Sequence, residues 1–157
     1  MKKWSDMMAP MLPKSSYSTA RSYFISELSP TAIRILLDAA SKIPEGTEWA
    51  VGTFLVRGEG TKPRPGSSFV LHEKYVFLNS IAPVKGKEGL DDSAKWTNGI
   101  MSEMKKAGLI KANYLAIMAP DLSSKDCFGE EKFERLKVLK NKVDPRNVFK
   151  HVPAQLA

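Results

Sequence analysis

The sequence predicts an α+β fold: a ferredoxin-like split β-α-β antiparallel sheet with its helices on one face, plus a C-terminal helix. Two observations lead to this prediction. Segments with strand character and segments with helical periodicity follow the order β-α-β-β-α-β, with one more helical segment after them, and a split β-α-β pair has this order. The chain has 157 residues, of which 43% are hydrophobic, and this suits a single domain.

The first strand and the first helix are predicted within residues 18–46. Aromatic and β-branched residues at positions 18–25 favour a strand. Ser29 followed by Pro30 is typical of a helix N-cap and the first helical position, and Pro44 and Gly46 end the helix. Four apolar residues between these signals repeat at the spacing of a helix that faces a core: Ile33, Leu36, Leu37 and Ala40.

The second and third strands are predicted on either side of a loop. Residues 48–57 are mostly apolar at both alternating sets of positions, so we expect this strand to be covered on both faces. Residues 58–67 contain three glycines and two prolines, which predicts a loop. Residues 69–81 form an apolar run interrupted at residues 72–74, which fits one bent strand or two short ones.

The remaining elements are a second helix, a fourth strand and a third helix. The second helix is predicted from acidic residues near Asp91 to Gly108. Residues 112–118 favour a strand, and residues 130–143 favour a helix that ends at Asp144. In the second helix we expect a buried stripe of Trp96, Ile100, Met104 and Ala107. In the third helix we expect a buried stripe of Phe133, Leu136, Leu139 and Val143, and Phe128 and Phe149 are expected to help this helix pack on the rest of the fold.

With both helices on one face, the fold leaves the other face of the sheet uncovered. The strands carry aromatic residues that are too apolar to leave in water: Trp49, Phe54, Phe69, Tyr75 and Phe77. A ligand, a second copy of the chain or the N-terminal segment would cover them. We expect a homodimer that packs sheet against sheet, with room for a cavity between the copies.

Composition excludes several classes of protein. No run approaches the roughly 20 apolar residues of a membrane span, and the N-terminus lacks the apolar run of a secretory signal, so we expect a cytoplasmic protein. One cysteine and two histidines argue against a disulfide framework and a metal site. The net charge is +7, but the basic cluster at residues 132–150 alternates with acidic residues, which is typical of a solvated helix and not of a nucleic-acid-binding surface.

The last quarter of the chain contains a specific set of motifs. They are an Asn-Tyr pair at 113–114, Phe-Gly at 128–129, Arg-Leu at 135–136 and Asp-Pro-x-Asn-x-Phe at 144–149. This set resembles the C-terminal signature of the berberine-bridge-enzyme-like, FAD-linked oxidases. Residues 11–81 are more loosely similar to the second half of that family's substrate-binding domain. The resemblance divides the chain into an N-terminal arm (1–17), a ferredoxin-like substrate-binding domain (18–125) and a berberine-bridge-like tail helix (126–157).

The resemblance also concerns the cofactor, because the family's flavin domain precedes this region and no counterpart to it occurs in the sequence. Gly58 and Gly60 lack the spacing of a dinucleotide-binding loop. We therefore expect no cofactor, or FAD only if a partner chain supplies it. A protein that does not hold FAD does not carry out the family's hydride chemistry alone.

Two residues are candidates for catalysis. Tyr114 aligns with the tyrosine of the Asn-Tyr motif, which the resemblance implies as a catalytic base; a phenol with a pKa near 10 needs a nearby cation or donor for this role. The alternative is a core tyrosine with its hydroxyl on water. His72 lies in the interrupted strand, and its pKa near 6.5 suits proton transfer. The alternative for His72 is a histidine paired to the backbone near a strand end.

Five further residues are candidates for binding a substrate. Lys74 shares a face with His72 and suits a carboxylate or an enolate, although a solvent-facing break in the strand explains it equally well. Arg57 suits an anionic substrate or a plain surface position at a strand end. Trp49 and Tyr75 suit a flat organic ligand or a dimer interface. Asn113 faces the opposite side of its strand from Tyr114. Cys127 is interpreted as structural.

Two functions are consistent with these features. The preferred hypothesis is a flavin-free enzyme that binds a hydrophobic, natural-product-like molecule on the open face of the sheet and catalyses a non-redox isomerisation or cyclisation. The alternative is a substrate-binding or non-catalytic subunit that completes a split FAD-linked oxidoreductase with a flavin-domain protein.

Overall fold

A computed structural model of the chain describes residues 17–47, 50–64, 66, 71–117 and 121–150. Trp49 and Phe69, and most of the predicted N-terminal arm, lie outside these residues. The described elements are strands β1 (Tyr17–Ile25), β2 (Ala50–Val56), β3 (Tyr75–Val84) and β4 (Ile110–Asn113), and helices α1 (Pro30–Ala40), α2 (Leu90–Lys106), α3 (Ser124–Phe128) and α4 (Glu130–Val143).

The four strands form one antiparallel sheet in the order β2-β3-β1-β4. The central pair is β1 and β3, whose register runs from Tyr17 opposite Val84 to Ile25 opposite Val76. β4 is short and pairs with β1 through a register irregularity after Phe24. The predicted α+β class, with a four-stranded antiparallel sheet and a C-terminal helix, is confirmed.

One face of the sheet packs on α1 and α2. Because side chains alternate along a strand, Tyr23 and Leu78 point to the same face, and both are fully buried. The Trp96 indole of α2 donates a hydrogen bond of 2.9 Å to the Ala39 carbonyl of α1, which joins the two helices. The buried residues of this core are Tyr23, Ile25, Ala32, Val76, Leu78, Ala82, Trp96, Ile100 and Met104.

Helix α1 begins as predicted but turns a different side to the core. The Ser29 hydroxyl accepts a hydrogen bond from the Ala32 amide, and Pro30 occupies the first turn. The prediction that Ile33 and Leu37 face the core is wrong, since both are exposed, Leu37 by 66%. The residues that contact the core are Ala32, Ile35, Leu36 and Ala39. Both sets satisfy the helical spacing, so packing against the sheet decides between them.

Helix α2 agrees with its prediction except at Ala107, which was expected to be buried and is exposed just after the end of the helix. Trp96, Ile100 and Met104 are buried along one stripe. Gly108 has φ +68°, a left-handed conformation that suits glycine after a helix. The Gly108 and Leu109 amides donate hydrogen bonds to the Lys105 and Met104 carbonyls, each at 3.0 Å. These carbonyls at the end of the helix therefore have backbone partners.

Strand β2 is an edge strand and is not covered on both faces as predicted. Phe54 is 59% exposed, and Leu55 on the opposite face is also exposed. Among the described strands, β2 pairs only with β3, and an apolar run predicts burial on both faces only where other elements cover both faces.

The positions of two candidate residues differ from their predictions. β3 begins at Tyr75, so His72 lies in the connection before the strand and not within it. β4 ends at Asn113, so Tyr114 lies just beyond the strand, and residues Leu115–Ile117 form a 3-10 turn. A further short helix, α3, was not predicted; Ser123 and Asp126 cap it reciprocally.

Helix α4 has the predicted bounds but not the predicted burial. All of its residues are described, and none is buried; Leu139 and Val143, which were expected in the core, are exposed. Phe149 after it is 73% exposed and does not dock the helix. Among the described residues, no helix is long and apolar enough to cross a membrane.

A pair of leucine variants tests which residues form the core. Leu78→Ala is expected to lower the free energy of unfolding by about 2–5 kcal/mol, because it leaves a cavity in the core. Leu37→Ala is expected to change it by less than about 0.5 kcal/mol, because Leu37 is largely in solvent. Urea unfolding followed by circular dichroism measures both, and equal losses would contradict the observed orientation of α1.

Candidate functional site

The sheet face opposite the helices carries a cluster of aromatic rings, called here the aromatic face: Phe24, Phe54, Tyr75, Phe77 and Tyr114. Phe24 alternates with the buried Tyr23 and Ile25 on β1 and so points away from the helices. It stands opposite Phe77 of β3, and Phe77 in turn stands opposite Phe54 of β2. The strand register therefore places one aromatic residue from each of three adjacent strands in a row.

Edge-to-face contacts, and a tilted contact between Phe54 and Phe77, hold these rings together. The ring centroids of Phe24 and Tyr75 are 4.9 Å apart, as are those of Phe77 and Tyr114. Phe24 lies 5.7 Å from Tyr114, and Phe54 lies 5.8 Å from Phe77. Such contacts stabilise by about 0.5–1.5 kcal/mol each beyond the burial of area, so the face is an ordered surface.

Tyr114 reaches this face because the chain keeps pairing with β1 for one residue after β4. Its amide donates a hydrogen bond of 3.0 Å to the Ser22 carbonyl. Ser22, on the same face, donates from its hydroxyl to the Asn79 side-chain oxygen at 2.5 Å. A polar pair therefore lies beside the aromatic rings.

One end of the aromatic face is covered by the chain and the other is open. Leu71 and Ala112 are buried against Phe24 and Tyr75. Phe54, at the β2 end, remains exposed. Phe54 is therefore the most exposed ring of the aromatic face.

The acidity of the Tyr75 phenol depends on its surroundings. Burial raises the pKa of Tyr75 above its ordinary value of 10.0, and the neighbouring Tyr114 phenol raises it further. Two ionised phenolates in proximity repel. At neutral pH the Tyr75 hydroxyl is therefore protonated and able to donate a hydrogen bond.

The other candidate residues lie in different places. Arg57 donates to the Val56 and Tyr75 carbonyls at 2.9 and 3.0 Å, which ties the ends of β2 and β3 together. Asn113 points to the opposite face from Tyr114, as expected, and its amide donates to the Asp126 carbonyl at 3.3 Å. Lys74 is exposed in the connection before β3. Substrate binding by these three residues, and by Trp49 outside the described residues, stays a prediction.

His72 is not part of the aromatic face. It lines a pocket together with residues of α4, whereas Tyr114 packs among the rings. The structure thus assigns the two proposed catalytic residues to different surroundings, and their catalytic roles stay predictions.

Sequence reasoning missed two contributors to the site. Phe24 was treated only as a strand residue, although its alternation with Tyr23 and Ile25 is visible in the sequence. Ser22 and Asn79 are 57 positions apart in sequence, and only the strand register brings them together.

Cys127 is buried, and burial raises the pKa of its thiol, which is consistent with a structural role. Among the described residues, no cluster of three potential metal ligands occurs.

Comparisons with known proteins agree on one group of relatives. Residues 113–154 match the family model described as "Berberine and berberine like". FAD-linked oxidoreductase aurO of Gibberella zeae is 24% identical over 139 residues, which are 88% of this chain and 27% of that protein.

Solved structures show the same fold. BBE-like 1 of Physcomitrella patens superposes with a TM-score of 0.75 at 15% identity, over 96% of this chain and 32% of that one. A carbohydrate oxidase from Microdochium nivale, solved with a substrate analogue, has a TM-score of 0.71 at 18% identity, over 89% of this chain and 33% of that one. The chain thus spans about a third or less of the length of the relatives it matches.

The coupling between the two phenols is measurable. We expect the pKa of Tyr75, followed by NMR of labelled tyrosine, to lie above 10 in the unchanged chain and to fall in Tyr114→Phe, because the substitution removes a neighbouring negative charge. Tyr17→Phe, a tyrosine at the start of β1, is the control and is expected to leave it unchanged. An unaltered Tyr75 pKa in Tyr114→Phe would contradict the arrangement of the aromatic face.

Proposed function

Because the chain corresponds to a fragment of the berberine-bridge-like, FAD-linked oxidases, we propose that its aromatic face binds a flat hydrophobic small molecule. The observation that carries this proposal is the row of rings, in which Phe54 is exposed at the β2 end and the rings of Tyr75 and Tyr114 pack on Phe24 at the other. A binding site for an organic ligand is typically apolar and has a few convergent polar groups. The Tyr75 and Tyr114 hydroxyls and the Ser22–Asn79 pair supply those groups.

The proposed chemistry is a non-redox isomerisation or cyclisation. The phenolate form of Tyr114 takes a proton from a carbon next to a substrate carbonyl, and the resulting phenol returns it at another carbon, so that atoms and electrons balance without an oxidant. The protonated Tyr75 donates a hydrogen bond to the oxygen on which negative charge develops. The aromatic rings hold the reactive conformer of the substrate.

The proposed chemistry does not draw on a flavin. Gly58 precedes the 3-10 turn over Glu59–Thr61 and Gly60 lies within it, so these two glycines lack the strand–loop–helix setting of a dinucleotide-binding loop. The proposed steps therefore use only the side chains of the aromatic face.

Deuterium exchange tests this proposal without a known substrate. The purified chain is expected to exchange the methyl protons of 2-acetylnaphthalene, a flat aromatic ketone, for deuterium faster than buffer does. Tyr114→Phe is expected to reduce the excess rate by about 100-fold or more, within the range of general acid–base catalysis. Proton NMR in heavy water measures the exchange.

Tyr17→Phe is the matched control, because it removes a phenol outside the aromatic face, and it is expected to keep the full rate. Exchange at the buffer rate, or an equal rate in Tyr114→Phe, would contradict the proposed chemistry.

A second candidate function is favoured by the exposed C-terminal segment. α4 and the turn after it expose apolar side chains within the stretch that matches the family model: Val138, Leu139, Val143, Val148 and Phe149. Exposed apolar surface of this kind marks interaction sites. The chain would then be the substrate-binding subunit of a split FAD-linked oxidoreductase, docked through this segment on a flavin-domain protein.

Mixing experiments test the second candidate. We expect the chain to co-elute in gel filtration with the separately produced flavin-binding portion of the Gibberella zeae relative. Phe149→Asp is expected to abolish the complex, because a charge in an apolar interface is costly, whereas Leu37→Asp on α1 is not. Separate elution of the unchanged chain would contradict this candidate.

The homodimer remains an expectation from the uncovered sheet face. A second copy seated on Phe54 would occupy the same entrance as the proposed ligand, so dimerisation and ligand binding would compete.

A further inference from the structure

A pocket of about 390 Å³ separates α4 from the loop that precedes β3. Its described lining comprises Arg64, Gly66, His72, Lys132, Arg135, Leu136 and Leu139. The four α4 residues among them follow the i, i+3, i+4, i+7 spacing, which places them on one side of the helix. That side of α4 therefore faces the loop across open space.

The charge of this lining is of one sign. None of the seven described lining residues is acidic. Arg64 and Arg135 are exposed, and within the part of the chain that the structure describes neither of them forms an ion pair. Guanidinium groups match carboxylate and phosphate geometry through paired hydrogen bonds. An oxyanion in the pocket would relieve the repulsion between these cations.

The pocket also has an apolar side. Leu136 and Leu139 lie on the same side of α4 as Lys132 and Arg135, and Leu139 is 51% exposed. A bare inorganic anion would leave these leucines in water. A ligand with an apolar body attached to its oxyanion would cover them and gain about 25 cal/mol per Å² of buried apolar area.

We infer that this pocket is a binding site for an organic carboxylate with an apolar body. Arg64 and Arg135 hold the carboxylate, and Leu136 and Leu139 contact the body. This site goes beyond the proposed function, because its lining shares no residue with the aromatic face. The two are adjacent along the chain: Leu71, which packs on Phe24 and Tyr75, directly precedes His72.

Calorimetric titration of the whole chain with naphthalene-2-carboxylate tests the inference. The carboxylate is expected to bind at least about ten-fold more tightly than naphthalene-2-methanol, because only the carboxylate pairs with the guanidinium groups. Inorganic phosphate is expected to bind more weakly than the carboxylate, because it leaves the leucines uncovered. Equal affinity for the carboxylate and either of the other probes would overturn the inference.

The double variant Arg64→Gln/Arg135→Gln is expected to weaken carboxylate binding by about ten-fold or more. Its matched control is Arg34→Gln/Lys85→Gln, which removes the same net charge from exposed positions outside the pocket and is expected to bind normally. Equal weakening of carboxylate binding in both variants would show a non-specific attraction by net charge and would contradict the inferred site.

The unchanged chain provides an independent readout. On titration with naphthalene-2-carboxylate, the amide NMR signals of Arg64, Gly66 and residues 132–139 are expected to shift. Shifts confined to Phe24, Tyr75 and Phe77 would place the ligand on the aromatic face and contradict the inferred pocket.

Discussion

The antiparallel pairing of β1 with β3 is the constraint on which the rest of the structure depends. Nine consecutive residue pairs fix its register. Because side chains alternate along both strands, that register places Tyr23 and Leu78 against the helices and Phe24 and Phe77 on the opposite face. A slip of one strand by a single residue would exchange the two faces. The hydrophobic core and the candidate site are therefore products of the same pairing.

The sequence predicts most of the fold because its strongest signals are local. Ser29 before Pro30, and the glycine at position 108, determine where α1 begins and α2 ends through hydrogen bonds within a few residues. The orientation of α1 was not predictable in the same way, since two adjacent apolar stripes fit the helical period equally. Only contact with the sheet distinguishes Leu36, which packs on the core, from Leu37, which does not.

The candidate site was predictable only in part, for a related reason. The Asn-Tyr motif indicates Tyr114, and the aromatic residues of the predicted strands include Tyr75. Their proximity depends on the order β2-β3-β1-β4, which brings residues 39 positions apart in sequence to one face. His72 was misplaced because an apolar run does not reveal where hydrogen bonding begins, and the strand starts only at Tyr75.

Helix α4 shows how a segment keeps its structure without a buried face. Lys137 pairs with Glu134 one turn earlier, and the Asp144 carboxylate after the helix pairs with Lys140 and accepts hydrogen bonds from the Val148 and Phe149 amides. The hydrogen bond from Lys140 lowers the pKa of Asp144, so this carboxylate stays ionised and keeps these bonds at neutral pH. The exposed pair of Lys137 and Glu134 contributes little, and isolated helices of this length are marginal in water. The apolar side chains of α4 are therefore available for contacts outside the core, and its cationic side faces the pocket beside the loop. One helix thus carries both the proposed docking surface and the proposed pocket, and Leu139 belongs to both.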